Sequence, residues 1–419
     1  MRVSSVRVAL AATLTAVVAG GGVVTAAHAT DGGAPPAVAP PPPAAAPPRA
    51  AVSLGPFGGT GMWIWELSRS SGGSAQAIVA KAKAYGVRTV FVKSSDGSSP
   101  WSQFSPTLIA ALKGGGLRVC AWQYVYGTYP QTEAALGARA AKLGADCLVI
   151  DAETEYEGRY ASAQRYVRAL RQRVGPHYPV ALAGFPYVDY HPAFPYSVFL
   201  GPGGAQFNAP QMYWKDIGVS VDEVYRHTYL ENAVYGRGIV PLGQLYSSPR
   251  SADIRRFRVL AGAYGAPGLS WWDWQEAQPY AWRAVGQELT APSALVARPA
   301  PPPLSRGARG DLVLWAQEHL RGARISTAVD GFYGVRTTRA VAAFQRARGL
   351  SPTGRLDAST WTALLRVRTA RIDWTAPAGT RARNGVRSAG ASASAGSAPA
   401  SASLPPVRDE IRPKRHRAG

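Results

Sequence analysis

The chain reads as an α/β protein: a (β/α)8 TIM-like barrel followed by a small three-helix domain. Three observations predict this. Residues 60–288 alternate short apolar, strand-like runs with helical patterns, and acids and amides collect where those runs end. Beyond a proline-rich break, residues 304–366 carry a compact helical pattern punctuated by glycine turns.

The N-terminus comes first in order. Arg2 and Arg7 precede a run of Ala, Val, Leu, Thr and Gly, and Ala27-His28-Ala29 fits a small-x-small cleavage site. Residues 1–29 are therefore expected to be a secretory signal peptide, cleaved near Ala29. Residues 30–57 are an Ala/Pro-rich linker, 58–290 the barrel, 291–303 a second Pro-rich linker, 304–366 the helical domain, and 367–419 a basic tail too poor in apolar residues to fold. No later stretch is long and apolar enough to span a membrane.

Within the barrel the expected strands are Gly61–Leu67, Val87–Lys93, Leu117–Tyr124, Asp146–Asp151, Pro179–Leu182, Pro210–Trp214, Ile239–Leu245 and Gly268–Trp274. The expected helices are Ser74–Tyr85, Pro106–Leu112, Gln131–Leu143, Tyr160–Val174, Val221–Tyr235, Ala252–Tyr264 and Tyr280–Val285. The weak link is 185–208, rich in Pro and aromatics with no clean helix. The first strand is not followed by a glycine-rich phosphate fingerprint, which argues against a doubly wound dinucleotide fold.

Composition narrows the chemistry. The 419 residues carry 46 Lys and Arg against 25 Asp and Glu, a net charge of +21. Such a balance favours an anionic partner. Export moves that expectation away from nucleic acid and toward the cell wall and its anionic polymers, with the basic tail as the contact. The two cysteines, Cys120 and Cys147, fall in neighbouring expected strands; they can pair if register and side agree. The six histidines are scattered, His191 near Asp189 being the one beside a rim acid, so neither metal nor cofactor is expected. Serine-elbow, zincin, P-loop and calcium-loop motifs are absent from the sequence.

The stretch that organises the chain is Leu148-Val149-Ile150-Asp151-Ala152-Glu153. It starts apolar and ends in carboxylates, as a barrel strand does where its floor becomes its mouth. Asp151 and Glu153 are two apart, so they face one side with Cα atoms roughly 6.6 Å apart. Breaking a glycosidic bond needs one carboxylic acid to protonate the leaving oxygen and a second group to steady the cationic centre. Glu153 is the expected acid, its pKa raised among aromatics; Asp151 is expected to stay ionised beside it.

Further polar residues at expected strand exits are Glu66, Lys93, Asp96, Gln123, Asp189, Asp216, Gln244, Asp273 and Gln275. Glu66 and Asp273 join the catalytic candidates. Some of the remainder are expected to be structural, Asp222 as a helix N-cap among them. Aromatics gather at the same places, and sugar rings stack on flat aromatic faces. Trp65, Trp122, Tyr124, Tyr213, Trp214, Trp272 and Gln244 are the expected substrate contacts, with Trp214 and Trp272 foremost.

Val149-Ile150-Asp151-Ala152-Glu153 resembles the strand-4 Asp-x-Glu of family-25 lysozymes, and family-18 chitinases end this strand similarly, with a further Asp where this chain has Val149. The resemblance implies that Glu153 is the acid and Asp151 its partner. The first strand departs from the family-25 pattern: Trp63-Ile64-Trp65-Glu66 lacks the initial Asp. Residues 60–288, with Phe185-Pro186-Tyr187 and Ser270-Trp271-Trp272-Asp273-Trp274, look like the glycoside-hydrolase-like barrels of secreted actinobacterial proteins.

The C-terminal unit repeats a glycine turn followed by a threonine-led helix, in Asp330-Gly331 to Val341 and again in Thr353-Gly354 to Leu364. With Arg309-Gly310, Gln317, Leu320, Phe332-Tyr333-Gly334, Phe344-Gln345 and Thr360-Trp361, it closely resembles the peptidoglycan-binding module of bacterial wall hydrolases. Most of these residues are expected to be structural, with Asp311 as a cap; Tyr333, Arg336 and Gln345 are the candidates for touching glycan or stem peptide. The chain is thus expected to be a secreted, monomeric, peptidoglycan-binding, muramidase-like glycoside hydrolase. The alternative is a non-catalytic envelope protein whose degenerate barrel binds glycan.

Overall fold

The computed structural model describes residues 55–290, 294–297 and 299–377. The expected signal peptide, most of the first linker and the tail beyond 377 lie outside them. Among the described residues no helix is long and apolar enough to cross a membrane.

The sheet closes into a ring of parallel staves. They are β1 (Gly59–Ile64), β2 (Val87–Asp96), β3 (Arg118–Val125), β4 (Leu148–Ala152), β5 (Val180–Ala183), β6 (Phe207–Asn208), β7 (Gly238–Ile239 with Leu242–Gln244) and β8 (Gly268–Trp272). Neighbours in the chain are neighbours in the sheet, and β8 pairs in parallel with both β1 and β7. The two halves of β7 flank Val240–Pro241; the first half pairs with β6 and the second with β8. The Val240 N–H donates to Asn208 O at 2.7 Å and the Met212 N–H to Leu242 O at 2.8 Å, which closes the ring. A short spur, Ser99–Pro100, folds back antiparallel on β2.

The period of two decides what faces the inside. In β4, Leu148, Ile150 and Ala152 pack outward against helices, whereas Val149 packs inward with Trp63, Phe91, Cys120 and Trp122. Gly61 makes room for that filling: a Cβ there would stand 2.4 Å from the Phe91 ring. Cys120 and Cys147 form a disulfide inside the barrel.

The outer layer consists of α1 (Ala75–Ala84), α2 (Pro106–Gly114), α3 (Pro130–Lys142), α4 (Tyr160–Val174), α5 (Tyr196–Phe199), α6 (Trp214–Ile217), α7 (Val221–Asn232), α8 (Ser251–Ala263) and α9 (Pro279–Gly286). Ser74, Ser105 and Ser220 cap α1, α2 and α7 by accepting N–H bonds. Asp222 is therefore not the cap of α7; it pairs with Arg256 on α8.

Two expectations shift. The sixth strand is Phe207–Asn208, not Pro210–Trp214. Pro210 has no N–H to give a ladder, and the chain after it turns tightly, Met212 N–H to Pro210 O and Tyr213 N–H to Gln211 O at 2.9 Å each. The unassigned segment 185–208 supplies α5 and this strand.

The C-terminal domain has three helices, α10 (Asp311–Gly322), α11 (Val335–Ala347) and α12 (Ala358–Leu364). Its repeat is built on two buried glutamines. Gln317 Oε1 accepts the N–H groups of Asp330 and Gly331 at 3.0 Å, and its Nε2 reaches Asp330 Oδ1, Phe332 O and Thr337 Oγ1. Gln345 does the same one unit later, accepting Gly354 N–H at 2.8 Å and donating to Arg355 O, Thr353 Oγ1 and Thr360 Oγ1. Gln345 and Tyr333 are both fully buried, so neither is the surface contact expected of it.

The module packs directly against the barrel. Asp311 does not cap α10: its carboxylate is buried among Tyr160, Ser197 and Tyr235 of the barrel's outer layer. Trp315 donates its indole N–H to Val234 O at 2.9 Å. The segment 367–377, expected to open the unfolded tail, is a strap. Ile372 and Trp374 are buried, the Trp374 ring lies 4.6 Å from Tyr160, and Gln164 on α4 bonds both Ile372 O and the Trp374 N–H.

Candidate functional site

The acids of β4 emerge where the staves end. Asp151 points inward and is buried at 6% exposure; Glu153, one inward step on, is half-buried. Gln211, from the turn after β6, joins them: its Nε2 donates to Asp151 Oδ1 at 3.0 Å and to Glu153 Oε1 at 3.1 Å. The Tyr124 hydroxyl reaches Glu155 at 2.7 Å and Glu153 at 3.4 Å. Glu153, Gln211, Tyr213, Asp216 and Tyr246 line, with Phe185 and Pro186, a shallow recess open to solvent.

Burial and then the adjacent Glu153 carboxylate push the Asp151 carboxyl well above the ordinary aspartate range, with Lys93 pulling partly the other way. The buried member of the pair, Asp151, is thus harder to ionise than an ordinary aspartate. Lys93 is itself buried; its ammonium lies 2.7 Å from Asp96 and over the rings of Trp101 (4.3 Å) and Trp122 (4.9 Å). Asp96 also accepts the Tyr126 hydroxyl at 2.9 Å.

The other candidates divide. Trp272 and Trp65 are half-buried neighbours at the mouth, with ring centroids 6.1 Å apart. Tyr213 and Tyr124 border the acids. Trp122 is a correction: at 2% exposure it fills the barrel beneath Trp272 and donates its N–H to Ile64 O. Trp214 is another. The turn after Pro210 rotates it outward, and it packs on Phe257 of α8, 3% exposed. Gln244 is fully buried and its Oε1 accepts the Lys215 and Asp216 N–H groups, so it braces the start of α6 and is not a substrate contact. Gln123 also turns outward, donating to Glu133 O.

Glu66 and Asp273 stand apart from the pair. Glu66 lies 3.7 Å from Arg69, which also binds Glu276 at 3.0 Å. Asp273 is fully buried, accepts the Glu276 N–H at 3.1 Å, and its Oδ2 has no partner among the described residues. Burial pushes its carboxyl up to about 7. Asp189 meets His227, at 3.0 Å, rather than His191, which bonds Glu157 at 2.8 Å.

Sequence reasoning missed Gln211 and Tyr246. Gln211 carries the signature applied elsewhere, a polar residue beside an aromatic at a strand exit. Placing the sixth strand three residues late hid it inside that strand.

Residues 309–364 match the family described as "Putative peptidoglycan binding domain". The C-terminal module is a peptidoglycan-binding-type domain. The match covers all three of its helices, and the barrel lies outside it. No curated protein matches the chain. Among solved structures, the chain is similar to the endo-beta-1,4-mannanase from Thermotoga petrophila, at 13% identity over 52% of this chain and 68% of that one, TM-score 0.41. It is similar to active domain 2 of a thermostable chitinase from Pyrococcus furiosus, at 11% identity over 55% and 96%, TM-score 0.44. A family 25 glycosyl hydrolase from Bacillus anthracis matches at 15% identity over 36% and 69%, TM-score 0.27. At these identities and scores the likeness speaks to neither substrate nor activity.

Proposed function

We propose that the protein is an exported cell-wall glycoside hydrolase of muramidase type, held on peptidoglycan by its C-terminal module. The observation that carries this reading is the Gln211 amide nitrogen, about 3 Å from a carboxylate oxygen of both Asp151 and Glu153 at the open end of the barrel. Two carboxyl groups so close share one proton more readily than they hold two negative charges. Glu153, facing the recess, is the member able to reach a glycosidic oxygen and protonate it. The proton it delivers is the one the pair shares, so Asp151, buried behind it, is left as a carboxylate that steadies the cationic centre or orients the substrate's N-acetyl group. Trp65 and Trp272 offer ring faces to sugar, and Tyr213 and Tyr246 flank the reacting position. The internal disulfide and the leader-like N-terminus support export.

The module docks on the barrel's outer layer, so wall binding holds the recess at a set distance from the glycan as well as raising its local concentration. Anionic wall polymers would add to this through the basic residues of the tail.

A second reading, glycan binding without cleavage, draws on Glu66: the strand-1 acid that could replace the missing Asp is engaged by Arg69. Clearing of purified cell wall separates the two. On the hydrolase reading the wild type clears wall, Glu153→Gln lowers the rate by about 10²–10⁴-fold, and Asp151→Asn lowers it as well. A wild type that sediments with wall but releases no reducing ends establishes the binding reading instead.

A further inference from the structure

A second cluster of ligand-type side chains lies away from the recess, where the segment after β5 meets α7. Asp189 comes from that segment; His227 and Glu231 are one turn apart on α7, so they project from one face. One ligand atom from each residue falls within 4.8 Å of the others. His227 Nε2 is 3.0 Å from Asp189 Oδ1 and 3.9 Å from Glu231 Oε1. Donors around a tetrahedral cation bound at about 2.0–2.1 Å are themselves roughly 3.3 Å apart, so the Asp189–His227 pair is already near that spacing and Glu231 must draw in to share one.

Two features point to a cation rather than to a simple polar cluster. Glu231 is buried, with its side chain 6% exposed. Its Oε2 accepts the Asp189 N–H at 2.6 Å, and its Oε1 faces His227 Nε2 at 3.9 Å. Two carboxylates thus face one imidazole with no lysine or arginine within ion-pair distance of either among the described residues, although the chain is strongly basic. The imidazole is also held in place: its ring stacks on Tyr187 at 3.8 Å and 17°, and Tyr190 stands edge-on at 5.7 Å. Asp189 is 44% exposed, so a fourth position opens to water.

We propose that Asp189, His227 and Glu231 bind one divalent cation of the zinc class, which braces the segment that follows β5. One imidazole with two carboxylates is a nitrogen–oxygen set suited to zinc, with water completing the shell. The braced segment has two further jobs. Phe185 and Pro186, at its start, wall the recess, and the Asn232 amide next to Glu231 donates to Pro186 O at 2.8 Å. Pro192 O, farther along, accepts the Asp311 N–H of the module at 2.8 Å. A cation at Asp189 would fasten the stretch between the recess and the module to α7. This reading is independent of whether the barrel cleaves glycan.

The test uses the tag-free full chain, stripped with a chelator and titrated with zinc chloride against a chromophoric competitor. One zinc per chain is expected. Asp189→Asn and His227→Gln should each weaken binding by about 100-fold or more, since loss of a ligand outweighs the 10–100-fold typical of loss of a ligand's supporting contact. Zinc should raise the melting temperature of the wild type and leave both variants unmoved. X-ray absorption should show a shell of light N and O donors. Asp189→Asn alters an exposed side chain, so its folding is not at stake. The proposal is overturned if the stripped wild type takes up no zinc, which leaves the cluster as a histidine–carboxylate clasp only. It is equally overturned if the two variants bind zinc as the wild type does, which puts the metal elsewhere.

Discussion

The carboxylate of Asp311 accepts the phenolic hydrogen of Tyr235 at 2.7 Å, across the boundary between the module and the barrel. Tyr160 and both donors of Ser197, its N–H and its hydroxyl, converge on the same carboxylate. Burial pushes this acid up to about 6, and the hydrogen bonds oppose the shift. Replacing Asp311 by Ala leaves four buried donors without their acceptor. The expected cost is about 3–5 kcal/mol, read as a lower urea midpoint, with the module losing its shared transition with the barrel. An unchanged midpoint would show that the interface does not depend on this carboxylate.

Asp273 makes stability depend on pH. Its folded-state value of about 7 lies above its ordinary 3.8, so between these values the folded chain holds a proton that the unfolded chain has released. Stability from this group is therefore greatest below the lower value and is lost as pH rises through the higher one. Asp273→Asn has no charge to bury. Its stability relative to wild type should climb from pH 4 to pH 8, by up to about 4 kcal/mol. Thermal unfolding across that range checks it, and a constant difference refutes it.

The two glutamine hubs of the module should be equally intolerant of change. Gln317→Leu and Gln345→Leu are near-isosteric but strand the turn N–H groups that each amide serves. Each is expected to cost about 2–4 kcal/mol in denaturant unfolding, and wall binding should fall only in step with the folded fraction.

The Cys120–Cys147 bridge joins residues 27 apart in sequence across adjacent staves. Removing it through the paired change Cys120→Ala and Cys147→Ala should lower stability by about 3–4 kcal/mol on the chain-entropy argument. Reduction of the native protein should be slow, because both sulfurs lie inside the barrel with no exposed surface. Rapid reduction without unfolding would contradict that placement.

The barrel was legible because its signals are local. Alternation placed Asp151 and Glu153 on one side, and helical spacing marked α1 and α7. The strand at Phe207–Asn208 was not, since two residues carry too little periodicity to stand out against Pro210 and the aromatics after it. That one displacement misplaced Trp214 and concealed Gln211. Trp122 and Gln244 were at the correct strands but at the wrong depth: an aromatic or amide at a strand end looks the same from the chain whether it fills the barrel or faces solvent.

Periodicity and glycine spacing, which act over a few residues, were enough to specify every stave but the sixth, a helical module and the acids that leave the fourth stave. Long-range packing settled the rest. Asp151 resists ionisation because other parts of the chain bury it; Asp189 finds His227 because α7 passes beside it; the module grips the barrel because Asp311 and Trp374 find partners far away in sequence. Such outcomes depend on which surfaces meet, and no local pattern encodes that.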